Sequence, residues 1–367
     1  MPDIEVRNVT KIYEERIVAL YKVSVKVFDG EYVCIIGPSG SGKSSLIKVI
    51  SGIIEPDEGE VYIGGRLVNN VPISERGLGL VMQDILLFPH MNVWDNVSYG
   101  PLVRGLGYDR AEFIGNEVLR SMSLHLRRSA MPHELSRGTQ QKVAIARAVA
   151  AGARILLLDE PLGSVDPRAA KTLRFELRHL VKDLKLTALH ITHNQEEALS
   201  IADRIIVMRK GRVEQVGTPF EIYARPKTPF IAKFIGGEAS FLEGLVEETM
   251  DGRVKVNLGE EHVLVESSIG FRIGEKVVLG IRPEHVSIVR AGGSRPDNSI
   301  SGIVKEVNFL GSYYRYMVET GGGNVLVKVP RLSAPSVSIG SRVFLTLDRA
   351  YIFKYPREGL DKAIAYE

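Results

Sequence analysis

Cysteine is almost missing: among 367 residues only Cys34 carries a thiol, so no intrachain disulfide can form, and a reducing cytosol is the expected setting. Neither sign of charge dominates. Lys and Arg number 47 against 44 Asp and Glu, a net +3, too little to set up a field that favours nucleic acid or an anionic membrane. Long apolar runs are also missing. "VCIIG" and "ILLL" fall far short of the roughly 20 residues that a membrane-crossing helix needs, so a role at a membrane is expected to come through partners. The opening "MPDIEVRNVTKIYEER" mixes charges of both signs and lacks the apolar stretch of a secretory leader, and none is expected. There are no heptads, no low-complexity tract and no internal repeat, which argues against coiled-coil and solenoid architectures.

What the chain does have is two kinds of patterning. At roughly 150 residues per domain its length predicts two or three domains. Up to about residue 235, short β-branched runs alternate with helical stretches, an α/β pattern in which "GEYVCIIG", "ARILLLD" and "TALHITH" read as buried parallel strands. From about 240 to 355 come short alternating runs such as "RVKVNL", "EKVVLGI" and "NVLVKV", parted by Gly, Pro, Ser and Asp. These predict a small all-β domain, a barrel.

Chemistry concentrates in the first part. "GPSGSGKS" follows an apolar strand and precedes a helical run, meeting the G-x-x-x-x-G-K-[ST] pattern. Its residues Gly37, Pro38, Ser39, Gly40, Ser41, Gly42, Lys43, Ser44 and Ser45 are candidates for holding nucleotide phosphates. Glycines let backbone amides and a helix N-terminus face the phosphates, Lys43 neutralises their oxygens, and Ser44 ligates Mg²⁺. "RILLLDEP" is an apolar strand that ends in two acids. Asp159 is placed for the Mg²⁺ shell, and Glu160 is placed to orient or deprotonate an attacking water.

With both halves in place the chain resembles the ATP-binding cassette (ABC) ATPases, from about residue 3 to 350. That resemblance implies a P-loop NTPase cassette over 1–235 with a helical subdomain at about 85–152, then an oligonucleotide-binding-like (TOBE) β domain over 240–355. It further implies Gln83 in "VMQD" as a glutamine that contacts Mg²⁺ or the attacking water. His193 in "ITHNQEEAL" would be the histidine on the γ-phosphate, and Tyr13 in "KIYEE" the aromatic under adenine. ATP and Mg²⁺ are the implied substrate and cofactor.

"LSRGTQQKVAIARA" stands where the family carries L-S-G-G-Q. The family's loop completes the nucleotide site of a second chain in a head-to-tail dimer, and Ser136, Gly138 and Thr139 would do so here. Arg137 replaces a glycine and Thr139 a glutamine; the expectation is an altered but competent signature. "EPLGSVD" keeps Asp166 for the dimer-facing loop but has Gly163 in place of a serine and Val165 in place of a leucine.

"LLFPHMNVWDNVSYG", "GIRPEHV" and "NFLGSYYRYMVE" resemble importers of the maltose, polyamine and ferric-ion type. Phe88, Met91 and Trp94 are candidates for a groove that takes a permease helix. The implied assembly is a homodimer on the cytoplasmic face of the membrane. It would contact two transmembrane permease subunits and, indirectly, an external solute-binding protein, without nucleic acid and with the membrane reached only through the permeases. Sugar is the expected solute, with polyamine, ferric ion and oxyanion as alternatives. A nucleic-acid-associated ATPase of the same superfamily is disfavoured because only about 90 residues without heptads separate P-loop and signature. A non-hydrolysing nucleotide sensor is disfavoured by the presence of Glu160 and His193.

Overall fold

The computed structural model describes residues 2–14 and 16–366. The chain divides into two compact units that meet in sequence between Ile222 and Tyr223. Helix Pro229–Phe234 therefore belongs by its packing to the second unit, although the alternating pattern of the sequence changes only after it.

Two sheets build the first unit. The larger has six strands in the order Arg212–Gly217, Arg204–Arg209, Tyr32–Ile36, Thr187–Ile191, Ile155–Asp159 and Leu78–Val81, parallel throughout except for the antiparallel edge strand Arg212–Gly217. Its three central strands are buried along almost their whole length, which is why they read as unbroken apolar runs. The smaller sheet is antiparallel, with Ile17–Val27, Ile4–Tyr13, Glu58–Ile63 and Arg66–Leu67 in that order. One apolar core joins the two sheets, and helix Lys43–Ser51 contributes Leu46, Ile47, Val49 and Ile50 to it. Helices Val93–Val103, Tyr108–Ser121 and Arg137–Ala150 pack on one another within the segment expected to be the helical subdomain.

The second unit contains two five-stranded sheets, all antiparallel. The first runs His262–Glu266, Arg253–Asn257, Ser240–Met250, Lys276–Ile281 and Ala350–Lys354. The second runs Val286–Arg290, Arg342–Leu347, Ser299–Phe309, Tyr313–Thr320 and Gly323–Pro330. Their inward residues form a single core of Val, Leu and Ile that also takes in the buried Tyr316. Tyr314 stacks on Tyr316 at 6.1 Å on that inward side, while Tyr313 lies under the Lys328 ammonium at 4.1 Å. The tyrosine cluster thus follows strand alternation.

Candidate functional site

The P-loop leaves strand Tyr32–Ile36 at Gly37 and returns as helix Lys43–Ser51. Two of its glycines are required by space. A Cβ on Gly37 would lie 2.2 Å from the Met208 carbonyl oxygen, and one on Gly42 would lie 2.3 Å from that of Ala19. Gly42 also takes φ 97°, which L side chains rarely adopt, and it starts the helix with no side-chain cap. The helix's first amides, with the positive end of its dipole, are thereby left to face the loop.

Lys43 is 4% exposed, and its ammonium donates to the carbonyls of Gly37 at 2.9 Å and Pro38 at 2.8 Å and to Ser41 Oγ at 3.3 Å. Burial pulls its pKa down, opposed by the nearby charges of Glu160 and Asp159. Ser44 Oγ donates to Asp159 Oδ1 at 3.5 Å, across from the end of strand Ile155–Asp159. Burial pushes the Asp159 carboxyl up and the Glu160 charge adds to this, while the Ser44 bond and the charges of Lys48 and Lys43 oppose it. Tyr13, at the end of its strand, donates to Ser45 Oγ at 3.4 Å and so stands beside the same helix start.

Glu160 follows Asp159 with φ 48°, a left-handed backbone that costs a non-glycine residue about 1–3 kcal/mol. Two contacts hold it there: its amide donates to the Ile191 carbonyl at 3.0 Å, and its carboxylate meets His193 Nε2 at 2.6 Å. His193 is exposed, just past strand Thr187–Ile191. Gln83 is also exposed, two residues beyond strand Leu78–Val81. Lys43, Ser44, Asp159, Glu160 and His193 are thus assembled at the carboxyl ends of adjacent parallel strands, where open α/β sheets bind ligands.

The signature residues form a second cluster. Ser136 is the N-cap of helix Arg137–Ala150, its Oγ accepting the Thr139 amide at 3.3 Å and lying 2.9 Å from Thr139 Oγ1. Thr139 thus takes part in the cap through both its amide and its hydroxyl. Arg137 is exposed in the first turn, and Gly138 is buried beside Val165 and Ala169. Asp166 caps helix Pro167–Asp183 by accepting from the amides of Arg168 and Ala169. A Cβ on Gly163 would meet Glu160 at 3.4 Å or more, ordinary contact, so local space does not demand a glycine.

Trp94, one of the groove candidates, is only 9% exposed, with the Arg128 guanidinium 3.7 Å over its ring, and is a core residue. Phe88 is half-buried between Tyr99 and Arg147. The sequence reading passed over Thr192, His190 and Glu197, which are buried beside the His193 turn; the acid four residues after His193 was the available signal.

Metal fit rests on the donor set. Ser44 and Asp159 offer hard oxygen atoms, and among the described residues no three His, Cys, Asp or Glu side chains could hold an ion by themselves. That suits Mg²⁺, which binds through one or two carboxylates together with substrate phosphates.

Comparison with known proteins gives the same outline. The ABC transporter family profile matches residues 20–163, and the TOBE domain profile matches 279–353. The spermidine/putrescine import ATP-binding protein PotA of Acidothermus cellulolyticus is 37% identical over 89% of this chain and 86% of its own length. The sn-glycerol-3-phosphate import ATP-binding protein UgpC of Yersinia pestis is 37% identical over 82% of this chain and 84% of its own. Among solved structures, the dimeric bacterial ABC transporter cassette MJ0796 aligns with TM-score 0.53 at 33% identity, covering 59% of this chain and 98% of that one. The cbiO1 subunit of Clostridium perfringens aligns with TM-score 0.58 at 27% identity, covering 60% and 90%.

Proposed function

Because the chain belongs to the ATP-binding subunits of ABC transporters, we propose that two copies pair head to tail and hydrolyse ATP to drive a solute importer. The observation that carries this reading is the contact of Glu160 with His193 at 2.6 Å, next to the Ser44–Asp159 pair at 3.5 Å. An acid and an imidazole sit together beyond a phosphate cradle, where water would attack a terminal phosphate.

In this reading the amides of Gly37 to Ser45 and the Lys43 ammonium hold the phosphates, and Tyr13 stacks on adenine. Lys43 would exchange its bonds to the Gly37 and Pro38 carbonyls for phosphate oxygens, and a buried ammonium gains most from such a partner. Ser44, Asp159 and Gln83 would hold Mg²⁺, which would supply neutralisation of the phosphate charge. Glu160 orients water and takes its proton, and His193 hydrogen-bonds the γ-phosphate. Ser136, Gly138 and Thr139 complete the site of the second copy from a helix start that is free of acids in its first turn, and Asp166 joins them from the N-cap of helix Pro167–Asp183. Cleavage then leaves charges that repel within a closed interface, and the pair reopens.

Among the described residues no helix is long and apolar enough to cross a membrane. The proposed setting is the cytoplasmic face, on two permease subunits that an external solute-binding protein supplies. Leu86 and Val103 on the helical subdomain, 61% and 68% exposed, are the proposed permease contact. The relatives at 37% identity name a polyamine and a glycerol phosphate as cargo, so we propose a small polar organic solute, a wider class than sugar alone.

Steady-state phosphate release with Mg-ATP tests the reading, taken as a function of chain concentration with Glu160→Gln as the blank. The rate per chain should climb with concentration and fall at least about 100-fold in the variant. A flat profile would exclude a site shared between two chains, and normal turnover in the variant would move the base elsewhere.

A further inference from the structure

Beneath the His193 turn a row of buried polar side chains runs out from the parallel sheet. Tyr32 and His190 are both fully buried, with the tyrosine hydroxyl 2.9 Å from His190 Nδ1. His190 Nε2 lies 3.4 Å from Glu197 Oε1, and neither of these two buried atoms has a hydrogen-bond partner besides the other. Glu197 is 4% exposed, and its other oxygen accepts the Thr192 hydroxyl at 2.6 Å. Thr192 Oγ1 in turn accepts the Asn194 amide at 2.9 Å, and the Asn194 side chain accepts the Glu197 amide at 3.0 Å. The Thr192 amide donates to the Ile35 carbonyl at 3.2 Å, just ahead of the P-loop. His193 is the one residue between Thr192 and Asn194, and both of these are held by the cluster.

Placing an acid here is costly, since a buried polar group that lacks full hydrogen bonding is paid for in stability. Burial pushes the Glu197 carboxyl up, opposed by the Thr192 bond and the Arg174 charge, and burial holds His190 down to about 3. His190 is therefore neutral and carries one ring proton. On Nε2 that proton points to a Glu197 carboxylate, with Tyr32 donating to Nδ1; on Nδ1 it points to Tyr32, and a protonated Glu197 donates to Nε2. Both arrangements leave Glu197 Oε2 to accept from Thr192. The sheet interior thus anchors one end of the row, and the turn hangs from the other.

We propose that Glu197 is a positioning residue for ATP hydrolysis: through the Thr192 hydroxyl it sets the backbone on both sides of His193 and so holds the imidazole against Glu160. The role rests on the assignments of Glu160 and His193 above. Nothing in it requires Glu197 to touch nucleotide.

A double-mutant cycle tests it, using phosphate release from the full chain at a concentration where the rate per chain has levelled. Thr192→Val, which keeps shape and loses the hydroxyl, should lower kcat about tenfold with KM for Mg-ATP unchanged within about twofold, and Thr192→Ser should restore most of the rate. Glu197→Gln, which still accepts from Thr192 and donates to His190, should keep most of kcat, whereas Glu197→Leu should lose it. In a His193→Ala background Thr192→Val should change nothing further. Full kcat in Thr192→Val, or a loss that multiplies that of His193→Ala, would overturn the positioning role while leaving His193 its own. An undiminished rate in His193→Ala would overturn both.

Discussion

Asp159 carries a cost that its strand does not need. Its folded pKa lies above the usual 3.8, so the ionised form is disfavoured by folding. The stability linked to it is present below the unfolded value and is lost as pH rises through the folded one. At neutral pH the charge therefore weighs against the nucleotide-free chain. Asp159→Asn can still accept from Ser44 but carries no charge. We expect its melting temperature without nucleotide to rise by on the order of 1–3 °C at pH 7.5, with the gain shrinking toward pH 4, and phosphate release to be nearly lost. Calorimetry across that pH range checks the sign, and a lower melting temperature at pH 7.5 would mean that the carboxylate's contacts outweigh its burial. Two histidines three residues apart show what was legible at this scale. His193 was singled out by its place in "ITHNQEEAL", whereas His190 lies within the apolar strand that precedes it, and only its full burial against Tyr32 and Glu197 marks it as interior.

At the scale of elements, the turn into helix Val93–Val103 hangs on one amide. Asn96 is fully buried; its side chain accepts the Phe88 amide at 3.0 Å and donates to the carbonyls of Phe88, Met91 and Asn92. Asn92 caps the helix by accepting the Asp95 amide at 2.8 Å. Removing the Asn96 side chain leaves buried backbone groups unpaired, at about 1–3 kcal/mol. Asn96→Ala should accordingly raise hydrogen exchange across 86–92 severalfold, while exchange in strand Ile155–Asp159 stays unchanged. Unaltered exchange in 86–92 would show that the loop is held by Arg147, which donates to the Leu86 carbonyl and lies 5.0 Å from the Phe88 ring. The sequence marked this stretch through its aromatics and missed Asn96, because an asparagine reads as loop polarity until its burial is known.

At the scale of the whole molecule, each unit has its own core, so differential scanning calorimetry should show two transitions, of which Mg-ATP raises one. Arg282 identifies the other. It is 2% exposed, donates to the carbonyls of Tyr223 and Ile235, and lies 4.0 Å over the Tyr223 ring, all within the second unit. Arg282→Ala strands those buried carbonyls and should lower only the transition that ATP leaves in place, by several degrees. A single transition, moved by both ATP and the substitution, would mean that the units unfold as one.

The sequence by itself determined the phosphate loop, the acids at the strand end, the signature turn and the change from α/β to all-β, because each is a local pattern. Spacing of glycines, an unbroken apolar run before an acid and strict alternation impose their geometry within a few residues. It did not determine where the first unit stops: Tyr223 and Ile235 are claimed by an arginine that lies 59 and 47 residues further on. Nor did it separate the buried Trp94 from a groove wall, or find the row from Tyr32 to Thr192. Those depend on which strands become neighbours, and adjacency across a parallel sheet is settled by long-range packing, which no single stretch of chain encodes.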